Sequence, residues 1–219
     1  MSPAPALALA IVISGRGGNM VAIAQACARG QIAARVARVI ADRRDAGGIE
    51  RARSLGLEVS VVPAREYADR AAFEAALAAA IDASGAQLVV LAGFMRILSP
   101  EFAQRYAGRM LNIHPSLLPK YPGLHTHARA LAAGEREHGA SVHFVTGELD
   151  AGPVVLQARV PVLPDDTPES LSARVQQQEH IIYPRAIGWM AAGRLRLAAD
   201  GPQFDARPLR QPLMEDACD

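Results

Sequence analysis

The sequence predicts a single α/β domain: a mostly parallel, twisted sheet flanked by helices, with a Rossmann-like N-terminal half. Three observations carry that reading. Apolar strand-type runs alternate with helical segments along most of the 219 residues. The run at 87–92 is apolar without a break from Leu88 onward, as expected of a strand buried on both faces of a parallel sheet. A glycine-rich turn, Ser14-Gly15-Arg16-Gly17-Gly18-Asn19, connects the first apolar run to the first helical one.

In chain order, residues 7–14 form the first strand and 20–29 the first helix. Strands at 36–41 and 57–62 flank a helix near 48–55, and an Ala-rich helix covers 70–83. After the 87–92 strand, Ser99-Pro100-Glu101 supplies an N-cap, a proline at the first helical position and an early acid. The run Met110-Leu111-Asn112-Ile113-His114 is a further strand, stopped by Pro115. A long loop marked by Pro119, Pro122, Gly123 and His125 follows, then strands at 141–145 and 154–162. Asp166-Thr167-Pro168-Glu169 opens a last long helix to about Ala192, with a kink at Pro184. A small hairpin is expected from 195–197 to Phe204, turning around Gly201-Pro202. Residues 1–199 read as one domain and 200–219 as a partly mobile tail.

Composition narrows the function classes. Half the residues are apolar, 21% are charged and the formal net charge is +1, which gives no electrostatic reason to expect nucleic acid or an anionic membrane. Cys27 and Cys218 are the only cysteines and lack metal or CxxC spacing, so a reducing cytoplasm is the expected compartment. The apolar start has no basic n-region and is too short to span a bilayer.

Asn112 and His114 carry the most chemistry. Side chains at i and i+2 of a strand share a face, which puts an amide donor beside a group that titrates near neutrality. That pairing suits acyl transfer, where an oxyanion forms while a proton moves. It is also compatible with two strand-end side chains satisfying nearby backbone. The glycine turn reads as a phosphate cradle, because helix-start N–H groups attract anions. As a dinucleotide fingerprint it is imperfect, with Met20 at the last position and Asp42 as the candidate ribose acid. Gln176 and Glu179 share a helix face and are placed to close over a polar headgroup, or simply to meet solvent. His125-Thr126-His127 invites a metal, but no HExxH or Cys partner accompanies it, and none is expected. His143 reads as a neighbour of the site or as a satisfied buried histidine, and Asp150 as a turn acid whose interest depends on folding back to His114.

Four segments, taken in order, resemble the folate-dependent formyltransferases: Val90-Leu91-Ala92-Gly93-Phe94-Met95-Arg96-Ile97-Leu98-Ser99-Pro100; Leu111-Asn112-Ile113-His114-Pro115-Ser116-Leu117-Leu118-Pro119-Lys120-Tyr121-Pro122-Gly123; Ser141-Val142-His143-Phe144-Val145 through Leu149-Asp150-Ala151-Gly152-Pro153; and Gln176 to His180 with Tyr183-Pro184. The resemblance runs from about Leu7 to Leu197. It implies the formyltransferase fold, 10-formyltetrahydrofolate as co-substrate and glycinamide ribonucleotide as formyl acceptor, with no metal, in a monomer or homodimer. It also implies that Asn112, His114 and Asp150 are catalytic. By the same resemblance the substrate phosphate and ribose lie on Gly17, Gly18, Asn19, Gln176 and Glu179. Folate is expected along Phe94, Met95, Arg96, Ile97 and Leu98 and along Val145, Thr146, Gly147, Glu148, Leu149 and Asp150, with Arg70 meeting the glutamate tail. Two departures stand out: Gly18 replaces the usual serine of the phosphate turn and Arg16 a commonly small or amide residue. Asp42-Arg43 likewise replaces an amide-containing turn. Rival readings are formyltetrahydrofolate deformylase, a formyltransferase to another amine such as methionyl-tRNA, a non-catalytic nucleotide-binding module and an NADP reductase.

Overall fold

The computed structural model describes residues 6–215. An eight-stranded sheet forms the centre, in the order β11-β7-β6-β5-β4-β1-β2-β3. Its strands are β1 (Leu7–Ile13), β2 (Ala34–Ala41), β3 (Val59–Val61), β4 (Leu88–Leu91), β5 (Met110–His114), β6 (Glu137–Phe144), β7 (Val154–Pro161) and β11 (Leu213–Glu215). Pairing is parallel from β3 across to β5 and antiparallel at β5–β6 and β6–β7; β11 adds to the β7 edge in parallel. The helices are α1 (Gly18–Ala28), α2 (Gly48–Ser54), α3 (Arg70–Ala83), α4 (Pro100–Arg105), α5 (Thr126–Ala132) and α6 (Pro168–Ala191).

The two faces follow from strand periodicity. Along β1, Leu9, Ile11 and Ile13 join the core under α1, α2 and α6, whereas Ala10 and Val12 join the core under α3 and α4. All five are fully buried, because β1 sits in the middle of the sheet and is covered on both sides. Each buried Ile or Leu contributes roughly 1.5–3 kcal/mol relative to exposure. Predicted caps form as the sequence indicates: Ser99 Oγ accepts from Phe102 N at 3.1 Å, and Thr167 and Ser170 make a reciprocal capping box on α6.

Several boundaries differ from the sequence reading. Helix α5 occupies part of the expected loop, since its Ala-rich turn becomes helical once His125 takes a left-handed conformation (φ 58°) at its start. Strand β6 begins four residues earlier than expected. Its Glu137-His138-Gly139-Ala140 start has little strand propensity, but it is held by pairing with Ala158–Pro161 of β7, and a Cβ at Gly139 would meet the Ala158 carbonyl oxygen. Helix α6, by contrast, runs through Pro184 to Ala191 as the sequence reading expects. The terminal hairpin pairs β8 (Leu195–Ala198) with β9 (Gly201–Phe204), so Gly201 and Pro202 are strand residues and the turn falls at Ala199-Asp200; β10 (Arg207–Pro208) adds a third strand. Within the expected tail, residues 201–204, 207–208 and 213–215 form strands; residues 216–219, with Cys218, lie outside the described residues.

Two features position the site. Strand order reverses between β1 and β4, so the connections leaving their C-terminal ends diverge and leave a crevice there, where open α/β sheets bind ligands. Next to it, the Tyr183 hydroxyl on α6 lies 3.0 Å from the Leu91 carbonyl oxygen and 2.9 Å from that of Leu111, one donor shared by the ends of β4 and β5. Among the described residues no helix is long and apolar enough to cross a membrane.

Candidate active site

The C-terminal end of β5 brings Asn112 and His114 to the crevice. In the β5–β6 ladder Asn112 stands directly opposite His143, and Asn112 Nδ2 lies 3.1 Å from His143 Nε2. The β6–β7 connection folds back over this strand end and delivers Asp150, the link that spacing could not supply. Its close packing needs glycine: a Cβ at Gly152 would lie 1.8 Å from the Phe144 carbonyl oxygen. Asp150 itself is left-handed (φ 52°), a conformation that Asp tolerates better than most residues. Its Oδ2 accepts from Gly123 N at 2.8 Å and lies 3.3 Å from His114 Nδ1; its Oδ1 is 3.7 Å from His143 Nε2.

The other ring nitrogen of His114, Nε2, is 2.9 Å from the Tyr121 carbonyl oxygen. Acceptors thus face both nitrogens, an arrangement that a ring with two N–H donors satisfies. The loop that leads from His114 to that carbonyl is held by a buried polar network. Ser141 Oγ donates to Ser116 O and accepts from Leu118 N, and Gln157 Nε2 donates to Ser141 Oγ and Leu118 O. Leu118-Pro119 is a cis peptide.

A cleft opens beside these groups. Its wall is Leu91, Phe94, Arg96, Ile97, Leu98, Asn112, His143 and the six residues Val145, Thr146, Gly147, Glu148, Leu149 and Asp150. The two segments expected to hold folate therefore do converge, and both line one cavity with Asn112. His114 stands just behind the wall, 6% exposed. Met95 lies off the wall and is 70% exposed, tied by its N–H to Ser14 Oγ. Arg70 starts α3 away from the lining, with its guanidinium 3.9 Å from Glu74. Arg96 is pinned: its Nε is 2.5 Å from Asp42 Oδ2, and its guanidinium lies over the Phe73 ring. Asp42 is 2% exposed and committed to that ion pair, which removes it as a ribose acid and with it the dinucleotide reading of the turn.

The glycine turn is the second half of the site. Gly17 precedes α1 with φ 73° and packs so closely that a Cβ would sit 3.0 Å from Gly48 Cα. Among the described residues no side chain caps α1, which leaves its first N–H groups in the arrangement that suits an anion. Helix α6 crosses over them. Asn19 Nδ2 donates to Glu179 Oε2 at 2.8 Å, and a Cβ at Gly18 would lie 3.3 Å from Gln176 Nε2 and 3.1 Å from His180 Nε2. The structure thus brings Gly17, Gly18, Asn19, Gln176 and Glu179 together. Burial raises the Glu179 carboxyl above its ordinary range, partly offset by the Asn19 hydrogen bond. Burial, and then the Arg51 charge, lower the His180 imidazole. Arg16 is exposed, and its carbonyl accepts from Arg51 Nη1.

Sequence reasoning gave little weight to three groups here. His180 follows Gln176 by one helical turn, so its face was legible from spacing. His143 was legible only as a neighbour, since its partner depends on strand register. Arg51, on α2, carried no signal. Among the described residues no group of three or more His, Cys, Asp or Glu side chains is arranged to hold a metal ion.

Comparison with known proteins agrees with this architecture. The model of a family described as formyl transferase matches residues 7–187. The phosphoribosylglycinamide formyltransferase of Escherichia coli K12 is 51% identical over 201 residues, covering 92% of this chain and 95% of that protein. The Haemophilus influenzae protein of the same name is 44% identical over the same shares of each chain. The solved phosphoribosylglycinamide formyltransferase of Coxiella burnetii superposes with a TM-score of 0.90 at 48% identity, covering 95% of this chain and 99% of that one. With its sheet, its crevice and most of its length matched, this chain belongs to the formyl transferase family.

Proposed function

We propose that this protein transfers the formyl group of 10-formyltetrahydrofolate to the amine of glycinamide ribonucleotide, giving formylglycinamide ribonucleotide and tetrahydrofolate in purine biosynthesis. The observation that carries the reading is the meeting of two half-sites at one crevice: a phosphate-type helix start under α6, and a cleft walled by the 94–98 and 145–150 segments with Asn112 between. The relatives named above carry that activity in their names. The reaction takes place in the cytoplasm, with the protein a monomer or homodimer.

The chemistry is direct acyl transfer. An α-amino group with pKa about 8 is partly unprotonated at neutral pH, so its lone pair attacks the formyl carbon unaided. The carbonyl π electrons move to oxygen, giving a tetrahedral oxyanion. Asn112 Nδ2 carries two N–H groups; one meets His143, and the second has no protein partner among the described residues, on a residue that lines the cleft, so it serves the oxyanion. His114, cationic between Asp150 and the Tyr121 carbonyl, adds positive charge from behind. The attacking nitrogen then loses its proton, through water and with Asp150 as the nearby carboxylate, as the folate nitrogen gains one. Collapse of the oxyanion breaks the carbon–nitrogen bond to folate. No covalent enzyme intermediate is required: Cys27 is distant in sequence, half-buried, and has its thiol pushed up to about 11 by burial.

The test mixes purified protein with both substrates and follows tetrahydrofolate release. Release that needs the ribonucleotide supports transfer. Release without it identifies a deformylase, and saturable NADPH binding without folate binding identifies a reductase.

A further inference from the structure

The mechanism leaves His143 without a task, although it is 2% exposed, lines the cleft and touches both Asn112 and Asp150. Its own hydrogen bonds decide its tautomer. Nδ1 lies 2.9 Å from the Phe144 carbonyl oxygen, which can only accept, so Nδ1 carries the ring proton. Nε2 is then a lone pair, and the group 3.1 Å from it must be a donor. That requirement assigns the Asn112 amide: its nitrogen faces His143 and its oxygen points away. Burial lowers the imidazole below its ordinary range, more than the Asp150 charge raises it, so the ring stays neutral at working pH.

We infer that His143 is a positioning residue which, as a neutral Nδ1–H tautomer, holds the Asn112 amide nitrogen towards the cleft so that its second N–H meets the developing oxyanion. The inference rests on the reading of Asn112 as oxyanion donor. An Asn amide has no intrinsic preference between its two flips, and the flipped form would present an oxygen lone pair where negative charge develops. Cross-strand register makes the device rigid, because Asn112 and His143 are directly opposed in the β5–β6 ladder.

His143→Asn keeps a donor for the Phe144 carbonyl but cannot reach Asn112, whereas His143→Gln restores an acceptor near the Nε2 position. Losing one orienting hydrogen bond corresponds to about a tenfold fall in kcat for His143→Asn, with both KM values unchanged and most of the rate recovered in His143→Gln. The deciding measurement is the cycle with Asn112→Ala. In the Asn112→Ala background His143→Asn is expected to cost nothing further, because there is no amide left to orient. An undiminished tenfold loss in that background means that His143 acts on the cleft wall instead, and overturns the inference. If Asn112→Ala falls steeply while His143→Asn matches wild type, the inference fails and the role of Asn112 stands. If Asn112→Ala itself matches wild type, the underlying reading fails. Nitrogen-15 histidine spectra of the wild type give a check that needs no variant: His143 must show an unprotonated Nε2 throughout neutral pH, and a protonated Nε2 refutes the assignment.

Discussion

Replacing Asp150 by Asn removes one charge from the site while changing almost no volume. Asn tolerates the left-handed backbone at this position, and its amide oxygen can still accept from Gly123 N, so the loop should keep its course. What is lost is the attraction to a cationic His114, whose Nδ1 is 3.3 Å away with both side chains 7% exposed. Two unit charges at that separation attract by about 5 kcal/mol at an effective dielectric of 20. A neutral hydrogen bond from His114 to the amide oxygen returns about 1–2 kcal/mol of it. The net loss of roughly 3 kcal/mol corresponds to about a 10²-fold fall in kcat. Single-turnover formyl transfer with both substrates saturating reads the chemical step, and urea unfolding confirms that the variant is folded. A folded Asp150→Asn protein that transfers within threefold of the wild-type rate would sink the role given to this carboxylate.

Further outcomes are expected elsewhere in the molecule. Asn112→Ala should lower kcat by about 10²–10³ with little change in either KM, as loss of one oxyanion donor does; steady-state kinetics decide it. Gly18→Ala places a Cβ 3.1 Å from His180 Nε2 and 3.3 Å from Gln176 Nε2, so the ribonucleotide KM should rise several-fold while the folate KM holds; equal changes in both would argue against a phosphate cradle at this turn. Asp42→Asn releases Arg96 and should cost about 1–3 kcal/mol in denaturant unfolding, less than a fully buried pair because Arg96 is about a third exposed, and should alter the folate KM alone. His138 is 1% exposed, and its imidazole is pushed down to about 4, first by burial and then by the neighbouring His127. The unfolded chain therefore binds more protons than the native one between about pH 6.5 and 4, so stability falls as pH drops through that window, by about 2–3 kcal/mol. His138→Phe should flatten that slope; an unchanged slope would place the acid sensitivity elsewhere.

The sequence disclosed those parts of the molecule that depend on local spacing. Asn112 and His114, two apart on a strand that Pro115 ends, were legible as a pair; so were the glycine turn, the Ser99 cap and the buried run of β4. What escaped depends on which backbone lies beside which. Asp150 gains its role only because the loop ending at Gly152 presses against Phe144. His143 gains a partner through the β5–β6 register, and Asp42 through an arginine 54 positions away. Helix α5 and the first half of β6 escaped because their residues have weak intrinsic preference and take their form from neighbours. The C-terminal strand β11 escaped because three residues carry no periodicity; it is tied to α6 by the Arg185–Glu215 ion pair as well as by β7.

The shared hydroxyl of Tyr183 has a consequence for how the two halves of the crevice are held together. One turn before it on α6 stands Glu179, bonded to Asn19 at the start of α1, and the two carbonyls the hydroxyl reaches belong to the residues immediately preceding Ala92 and Asn112. The phenol is thus a strut between the helix that covers the glycine turn and the strand that carries Asn112. The packing of α6 against β4 and β5 at the crevice thus runs through one rigid aromatic ring. Exposed residues at the rim, Arg16 and Met95, lie outside that linkage.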